Sequence, residues 1–223
     1  MLSAWFTMVE VRLVCLPLLR TFYNNIVSRT KQKKIGLFFG SFNPIHIGHI
    51  AIAGYMAEFT DLDEVWLVVS PRNPLKDKAS LLKDIYRLRL VREAIADHPK
   101  LKASNVEFDL PRPSYTIDTL KVLKEKYPAN EFVLILGSDS LQTFNKWKNF
   151  EEILSGFELY VYPRPGVAGG ELVSHARVKM VDAPLMEISS SFIRKAISEK
   201  KDVRSMLPLP VYNYIREMHF YEK

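Results

Sequence analysis

Residues 33–56, KKIGLFFGSFNPIHIGHIAIAGYM, constrain the fold more than any other stretch of the chain. The apolar run 35–39 is long enough for a buried strand. Gly40, Ser41, Phe42, Asn43 and Pro44 then break it with turn-forming residues. A helix is expected over 47–59. His46 and His49, three apart, face one side of its start. A strand that passes through a short turn into a helix can hold an anion. Free N–H groups and the positive end of the helix dipole both converge on the turn. Gly40 and Ser41 carry little or no side chain, so a phosphate can come close to the main chain. The stretch contains neither G-x-G-x-x-G nor G-x-x-x-x-G-K-[ST], the commoner nucleotide loops.

Beyond this stretch, strands alternate with helices. Strands are expected at 63–70, 106–110, 131–136, 157–162 and 178–181. A helix is expected at 80–98, where Leu81, Leu82, Ile85, Leu88, Val91 and Ile95 recur at threes and fours and Ser80 can serve as N-cap. Further helices are expected at 114–127, with Ser114 as N-cap, at 189–200 and at 208–220. This order predicts an α/β fold: a doubly wound parallel sheet, Rossmann-like, in a single domain over 34–223 closed by C-terminal helices. Residues 1–33 read as a dispensable extension. Glu10, Arg12 and Pro17 interrupt its apolar part, so it cannot supply the ~20 apolar residues of a membrane span. It also lacks the basic start and cleavage site of a signal peptide.

Charge excludes one class of partner. The chain carries +6, but residues 1–34 hold six cations against Glu10, or +5, leaving +1 for the rest. A near-neutral body is not a nucleic-acid surface. Cys15 is the single cysteine, which suits a reducing compartment, and a cytoplasmic location is expected. Homo-oligomerisation is left open.

In doubly wound sheets ligands bind at the carboxyl ends of the strands. Five further strand-end loops carry polar groups. After 63–70 comes SPRNPLK, where two prolines can aim Lys76, a compact cation suited to phosphate. After 106–110 comes RPSYTIDT, whose Tyr115 and Thr116 amides open a helix that can receive a carboxylate. After 131–136 comes Gly137-Ser138-Asp139, with Trp147 further on; Asp139 can accept from ribose hydroxyls and Trp147 can stack on a ring. After 157–162 comes Arg164 between two prolines, a phosphate fork. The segment ISSSFIR then opens a helix with Ser189, Ser190, Ser191 and Arg194, a second phosphate site.

GSFNPIHIGH, PSYTIDTL, GSD with its following Trp, RPG and ISSSFIR, in this order and spacing over about 34–221, resemble the bacterial nicotinate-nucleotide adenylyltransferases of the nucleotidyltransferase superfamily. The resemblance implies transfer of AMP from ATP onto the phosphate of nicotinate mononucleotide, giving deamido-NAD and pyrophosphate in NAD biosynthesis. It implies ATP binding by Gly40, Ser41, Phe42, His46, His49, Gly137, Asp139, Ser190, Ser191 and Arg194. It implies nicotinate-mononucleotide binding by Lys76, Tyr115, Thr116, Trp147 and Arg164. Catalysis would fall to His46, His49, Lys76 and Arg194. Mg²⁺ would be held mainly by substrate phosphates, since no carboxylate cluster suggests a protein cage. The chain departs from the family pattern at Asn43, where many relatives carry Asp, and at Arg112-Pro113, where many carry glycine before Pro-Ser-Tyr-Thr. The alternatives are an enzyme using nicotinamide mononucleotide or both mononucleotides and, further off, a phosphopantetheine adenylyltransferase or a non-catalytic nucleotide sensor.

Overall fold

The central sheet has six strands in the order β3-β2-β1-β4-β5-β6, all parallel. They are β1 (Lys34–Gly40), β2 (Glu64–Val69), β3 (Leu101–Ser104), β4 (Glu131–Gly137), β5 (Glu158–Tyr162) and β6 (Val178–Met180). The helices are α1 (Ile47–Phe59), α2 (Asp84–Ala94), α3 (Thr116–Lys126), α4 (Ser138–Gln142), α5 (Phe150–Gly156), α6 (Ser190–Ser198) and α7 (Leu209–Glu217). The structure is a computed structural model and describes residues 32–71 and 81–222. The extension 1–33, apart from its last two residues, Lys76 and the Ser80 cap lie outside the described residues.

The strands are apolar almost without interruption because both faces of the sheet are covered. Successive residues go to opposite cores. On β4, Phe132, Leu134 and Leu136 join one core, which α3 and α5 complete with Ile117, Leu120 and Ile153. Val133 and Ile135 join the other, completed by α1, α2, α6 and α7 through Met56, Leu88, Ile193 and Val211. The chain winds outward from β1 to β3, then returns to β4 on β1's other side. That reversal opens a crevice at the carboxyl ends of β1 and β4. Gly40 ends β1 and Gly137 ends β4.

Three expectations are corrected. The segment 106–110 is not a strand: the edge strand is Leu101–Ser104, and Val106–Asp109 forms a 3-10 turn. Val106, Phe108 and Leu110 alternate with polar residues and so imitate strand periodicity. Ser114 does not cap α3 either. Tyr115 occupies the N-cap position, with no side-chain cap bond, and the helix begins at Thr116. The helix expected over 80–98 is confined to Asp84–Ala94.

The amino end of the sheet is closed by ion pairs. Lys34 Nζ lies 2.8 Å from Asp61, 2.6 Å from Glu158 and 3.0 Å from the Tyr160 hydroxyl. Glu64 accepts from Lys33, from Lys102 at 2.9 Å and from Trp66 Nε1 at 3.0 Å. Burial alone would raise the Glu64 carboxyl, but hydrogen bonds from Lys102, Lys33 and Trp66 outweigh it and hold it down to about 2. A carboxyl depressed by folding contributes stability above its ordinary value of 4.5, and that contribution is lost as pH falls through about 2. The urea midpoint is therefore expected to drop between pH 5 and pH 2, and Glu64→Gln is expected to flatten that slope while lowering the midpoint at pH 7.

Candidate active site

The loop from Gly40 to His46 is shaped by side chains packed beneath it. Phe42 has φ of 43° and its ring is 1% exposed. A Cβ on Gly40 would stand 2.8 Å from that ring. Gly40 is thus small to admit Phe42 as well as a ligand, and Phe42 can offer a ligand only its backbone. Likewise a Cβ on Gly48 would stand 3.1 Å from the His46 ring. His46 is 4% exposed and stacks on His49, ring centroids 3.8 Å apart. The His46 N–H donates to His49 Nδ1 at 3.3 Å. In neutral His49 the proton then sits on Nε2. Phe42 and Phe38 pack against the His49 ring at 5.1 and 6.1 Å, which fixes its plane. Burial, helped by the charge of Arg164, pushes the His46 imidazole down to about 4, so it is neutral at pH 7.

The carbonyls of this loop turn inward. Arg87, fully buried, donates to the carbonyls of Ser41, Ser70 at 2.8 Å, Pro71 at 2.9 Å and Leu82 at 3.0 Å, and pairs with Asp84 at 2.7 Å. Arg194 donates to the Asn43 carbonyl at 2.7 Å and to Ser191 Oγ at 3.2 Å. Ser190 Oγ donates to the Pro44 carbonyl at 2.9 Å. The Asn43 amide oxygen accepts from the Leu82 N–H at 3.2 Å and the Tyr221 hydroxyl at 2.7 Å. In a trans peptide the C=O and the following N–H point in opposite directions. With the Ser41 and Pro44 carbonyls held inward, the N–H groups of Phe42 and Ile45 point away from these buried donors. They lie on the same loop as the start of α1, where the His49 N–H donates to the His46 carbonyl at 2.9 Å.

The start of α6 lies directly against this loop through Ser190 and Arg194. Ser189 caps α6, its side chain accepting from the Phe192 N–H at 3.2 Å. Across the crevice, Asp139 sits in the first turn of α4, half exposed, its carboxylate 3.7 Å from Arg164 Nε. A Cβ on Gly137 would fall 2.3 Å from Asp139 Oδ1, so this glycine is required by the position of the aspartate. The Arg164 N–H donates to the buried Ser138 hydroxyl at 2.9 Å. Arg164 Nε and His46 Nδ1 are both buried without a hydrogen-bond partner.

A second cluster forms at the N-terminus of α3. Lys148 pairs with Asp118 at 2.9 Å and lies 4.5 Å from the centre of the Tyr115 ring. It ties the loop bearing Trp147 to the helix start bearing Tyr115 and Thr116. Trp147 is partly buried against Phe144, ring centroids 5.0 Å apart. Among the described residues, no three His, Cys, Asp or Glu side chains are grouped to hold a metal ion, and no helix is long and apolar enough to cross a membrane.

Arg87, Ser138, Lys148 and Tyr221 escaped the reading of the sequence. Arg87 alone left a usable signal: a charge four residues before Val91, inside the apolar stripe of α2.

Sheet order, crevice and loop together define a nucleotide-binding α/β protein of the nucleotidyltransferase type. The cytidylyltransferase-like family profile matches residues 37–196. A "probable nicotinate-nucleotide adenylyltransferase" of Christiangramia forsetii is 53% identical over 193 residues, covering 86% of this chain and all of that protein. Its namesake in Bacteroides thetaiotaomicron is 48% identical over 191 residues, covering 86% of this chain and 95% of that one. The solved nicotinic acid mononucleotide adenylyltransferase of Plasmodium falciparum, complexed with NaAD, shares the fold with a TM-score of 0.73 at 23% identity, over 86% of this chain and 98% of that one. The chain belongs to the cytidylyltransferase-like family, in its nicotinate-nucleotide adenylyltransferase branch.

Removing a buried cation takes the donor from four carbonyls and leaves the Asp84 carboxylate with Arg112 alone, at 3.0 Å. Arg87→Met is expected to lower stability by about 3–5 kcal/mol, measured by urea unfolding at pH 7.5.

Proposed function

We propose that the protein transfers AMP from ATP to the phosphate of nicotinate mononucleotide, releasing pyrophosphate and forming deamido-NAD. The observation that carries this reading is the junction of the Gly40–His46 loop with the start of α6. Ser190 and Arg194 bond the loop's carbonyls, so two anion-binding termini border one cavity. The names of the curated relatives support the substrate assignment.

Nicotinate mononucleotide brings its own nucleophile. A phosphate oxygen attacks the α-phosphorus of ATP in line. A P–O bond forms, and the bond from the α-phosphorus to the bridging oxygen breaks as pyrophosphate leaves. The monoester is already anionic near neutral pH, so no general base is required. The task of the site is positioning and charge stabilisation. The amides of Phe42, Ile45 and α1 face the triphosphate. His49, with its proton on Nε2, donates where charge gathers on the bridging oxygen. Neutral His46 is the platform on which His49 stacks. Ser190, Ser191 and Arg194 border the phosphates, and Asp139 takes the ribose hydroxyls. Tyr115, Thr116 and Trp147 form the ring pocket, with the α3 amides toward the carboxylate. Arg164, whose Nε lies 3.7 Å from Asp139 but makes no hydrogen bond, is assigned to the mononucleotide phosphate. Lys76 is assigned there on sequence alone.

The described groups around the loop are imidazoles, guanidinium groups, hydroxyls and the Asp139 carboxylate. This set suits phosphate better than a bare divalent cation. Mg²⁺ would therefore be held through the substrate oxygens and supply neutralisation of their charge.

Product identification with ATP and each pyridine mononucleotide tests the assignment: deamido-NAD and pyrophosphate are expected from the acid at the higher kcat/KM. His49→Ala is expected to lower kcat by ~10²–10³-fold in a variant that still shows a cooperative unfolding transition above the assay temperature. Gly137→Ala displaces Asp139 and is expected to cost about 10–100-fold in kcat/KM for ATP, with a smaller rise in the KM for the mononucleotide, since the new Cβ also stands 3.2 Å from Arg164 Cγ.

A further inference from the structure

One buried ionisable group has no place in the chemistry just described. Glu107, in the 3-10 turn Val106–Asp109, is 3% exposed. Its Oε1 accepts from the Thr119 hydroxyl at 2.8 Å, and its Oε2 is buried without a hydrogen-bond partner. Thr119 lies in the first turn of α3, so the carboxyl stands beside the helix start that carries Tyr115 and Thr116. The Thr119 hydroxyl has a second acceptor, the Tyr115 carbonyl, at 3.4 Å.

The groups acting on Glu107 are hydroxyls. Ser70 approaches from the end of β2, Ser114 from the loop before α3, and Thr119 from α3 itself. No cation is among them. Asp118, the charged group in the same turn of α3, is engaged by Lys148 instead. A carboxylate buried without a cation is costly, which favours the neutral acid. Burial pushes the carboxyl up, and the three hydroxyls offset this only in part. A helix N-terminus also attracts negative charge, and one carboxylate largely exhausts that attraction. Glu107 and a carboxylate ligand would therefore compete for the same end of α3.

We propose that Glu107 is a specificity-determining residue of the mononucleotide pocket: as an uncharged acid it leaves the α3 N-terminus to the substrate carboxylate, and as an anion it disfavours the nicotinate substrate but not its amide. The proposal rests on the mononucleotide assignment above and adds the residue that sets acid against amide. Glu107 touches no reacting atom in this account. Its influence lies in KM rather than kcat.

The test is the ratio of kcat/KM for nicotinate mononucleotide to that for nicotinamide mononucleotide, measured from pH 4.5 to pH 8.5 in the wild type and in Glu107→Gln. Titrations shared by the two substrates, such as their phosphates, cancel in the ratio. The wild-type ratio is expected to fall by about tenfold across this range through the KM of the acid, the size expected for one like charge across a partly screened pocket. Glu107→Gln, a neutral isostere, is expected to hold the ratio constant at its low-pH value. A wild-type ratio that does not change with pH overturns the proposal, whether or not the variant folds. So does a variant with the wild-type slope, or one that loses both substrates equally, which would mark a purely structural glutamate. Failure of the wild type to adenylylate either mononucleotide would overturn the substrate reading itself, and this proposal with it.

Discussion

A loop that turns its N–H groups toward an anion must satisfy its carbonyls on the other side. In this protein that requirement falls on the turn between β1 and α1. The guanidinium of Arg87 reaches the Ser41 carbonyl from below, and Arg194 and Ser190 reach Asn43 and Pro44 from α6. Arg87 from below and Arg194 and Ser190 from the start of α6 thus fix the orientation of the loop's peptides. The same donors secure its neighbours, since Arg87 also holds the carbonyls of Ser70, Pro71 and Leu82. The loop is one part of a buried hydrogen-bond network.

The two ends of the sheet treat charge in opposite ways. At the amino end, Asp61 and Glu64 each accept from more than one donor, and both carboxyls are held below their ordinary range. At the carboxyl end, satisfaction is deliberately incomplete. The buried side-chain atoms without a partner among the described residues, His46 Nδ1, Arg164 Nε and Glu107 Oε2, all border the crevice or the adjoining start of α3. Buried unpaired polar atoms are costly, and they persist where a ligand or a change of protonation completes them. Stability is concentrated at one end of the strands and chemistry at the other.

Much of this was legible in the sequence, and the failures are instructive. Helix α1 was read at its observed bounds because a proline-containing turn and a long apolar helix leave no competing pattern. The loops after β1, β4 and β5 were found because strand ends in parallel sheets carry the ligand groups. VEFDL misled because apolar and polar residues alternate in a 3-10 turn much as they do in a strand. The consequence was larger than a boundary error, since the turn carries Glu107 into the core. The reason given for Gly40 was incomplete for a related cause: the Phe42 ring packed against it is a contact that spacing does not announce.

By itself the sequence determined the order of strands and helices, the coverage of the sheet on both faces, and which loops carry polar groups. These follow from local periodicity and from the chemistry of glycine, proline and serine. Only the tertiary structure decided which groups meet. Asn43 is joined to Arg194 and Tyr221 across 151 and 178 residues of chain, and Arg87 gathers carbonyls from two separate loops. Such pairings depend on how the crossovers stack against the sheet, and no periodicity of a few residues can encode a distance of that kind.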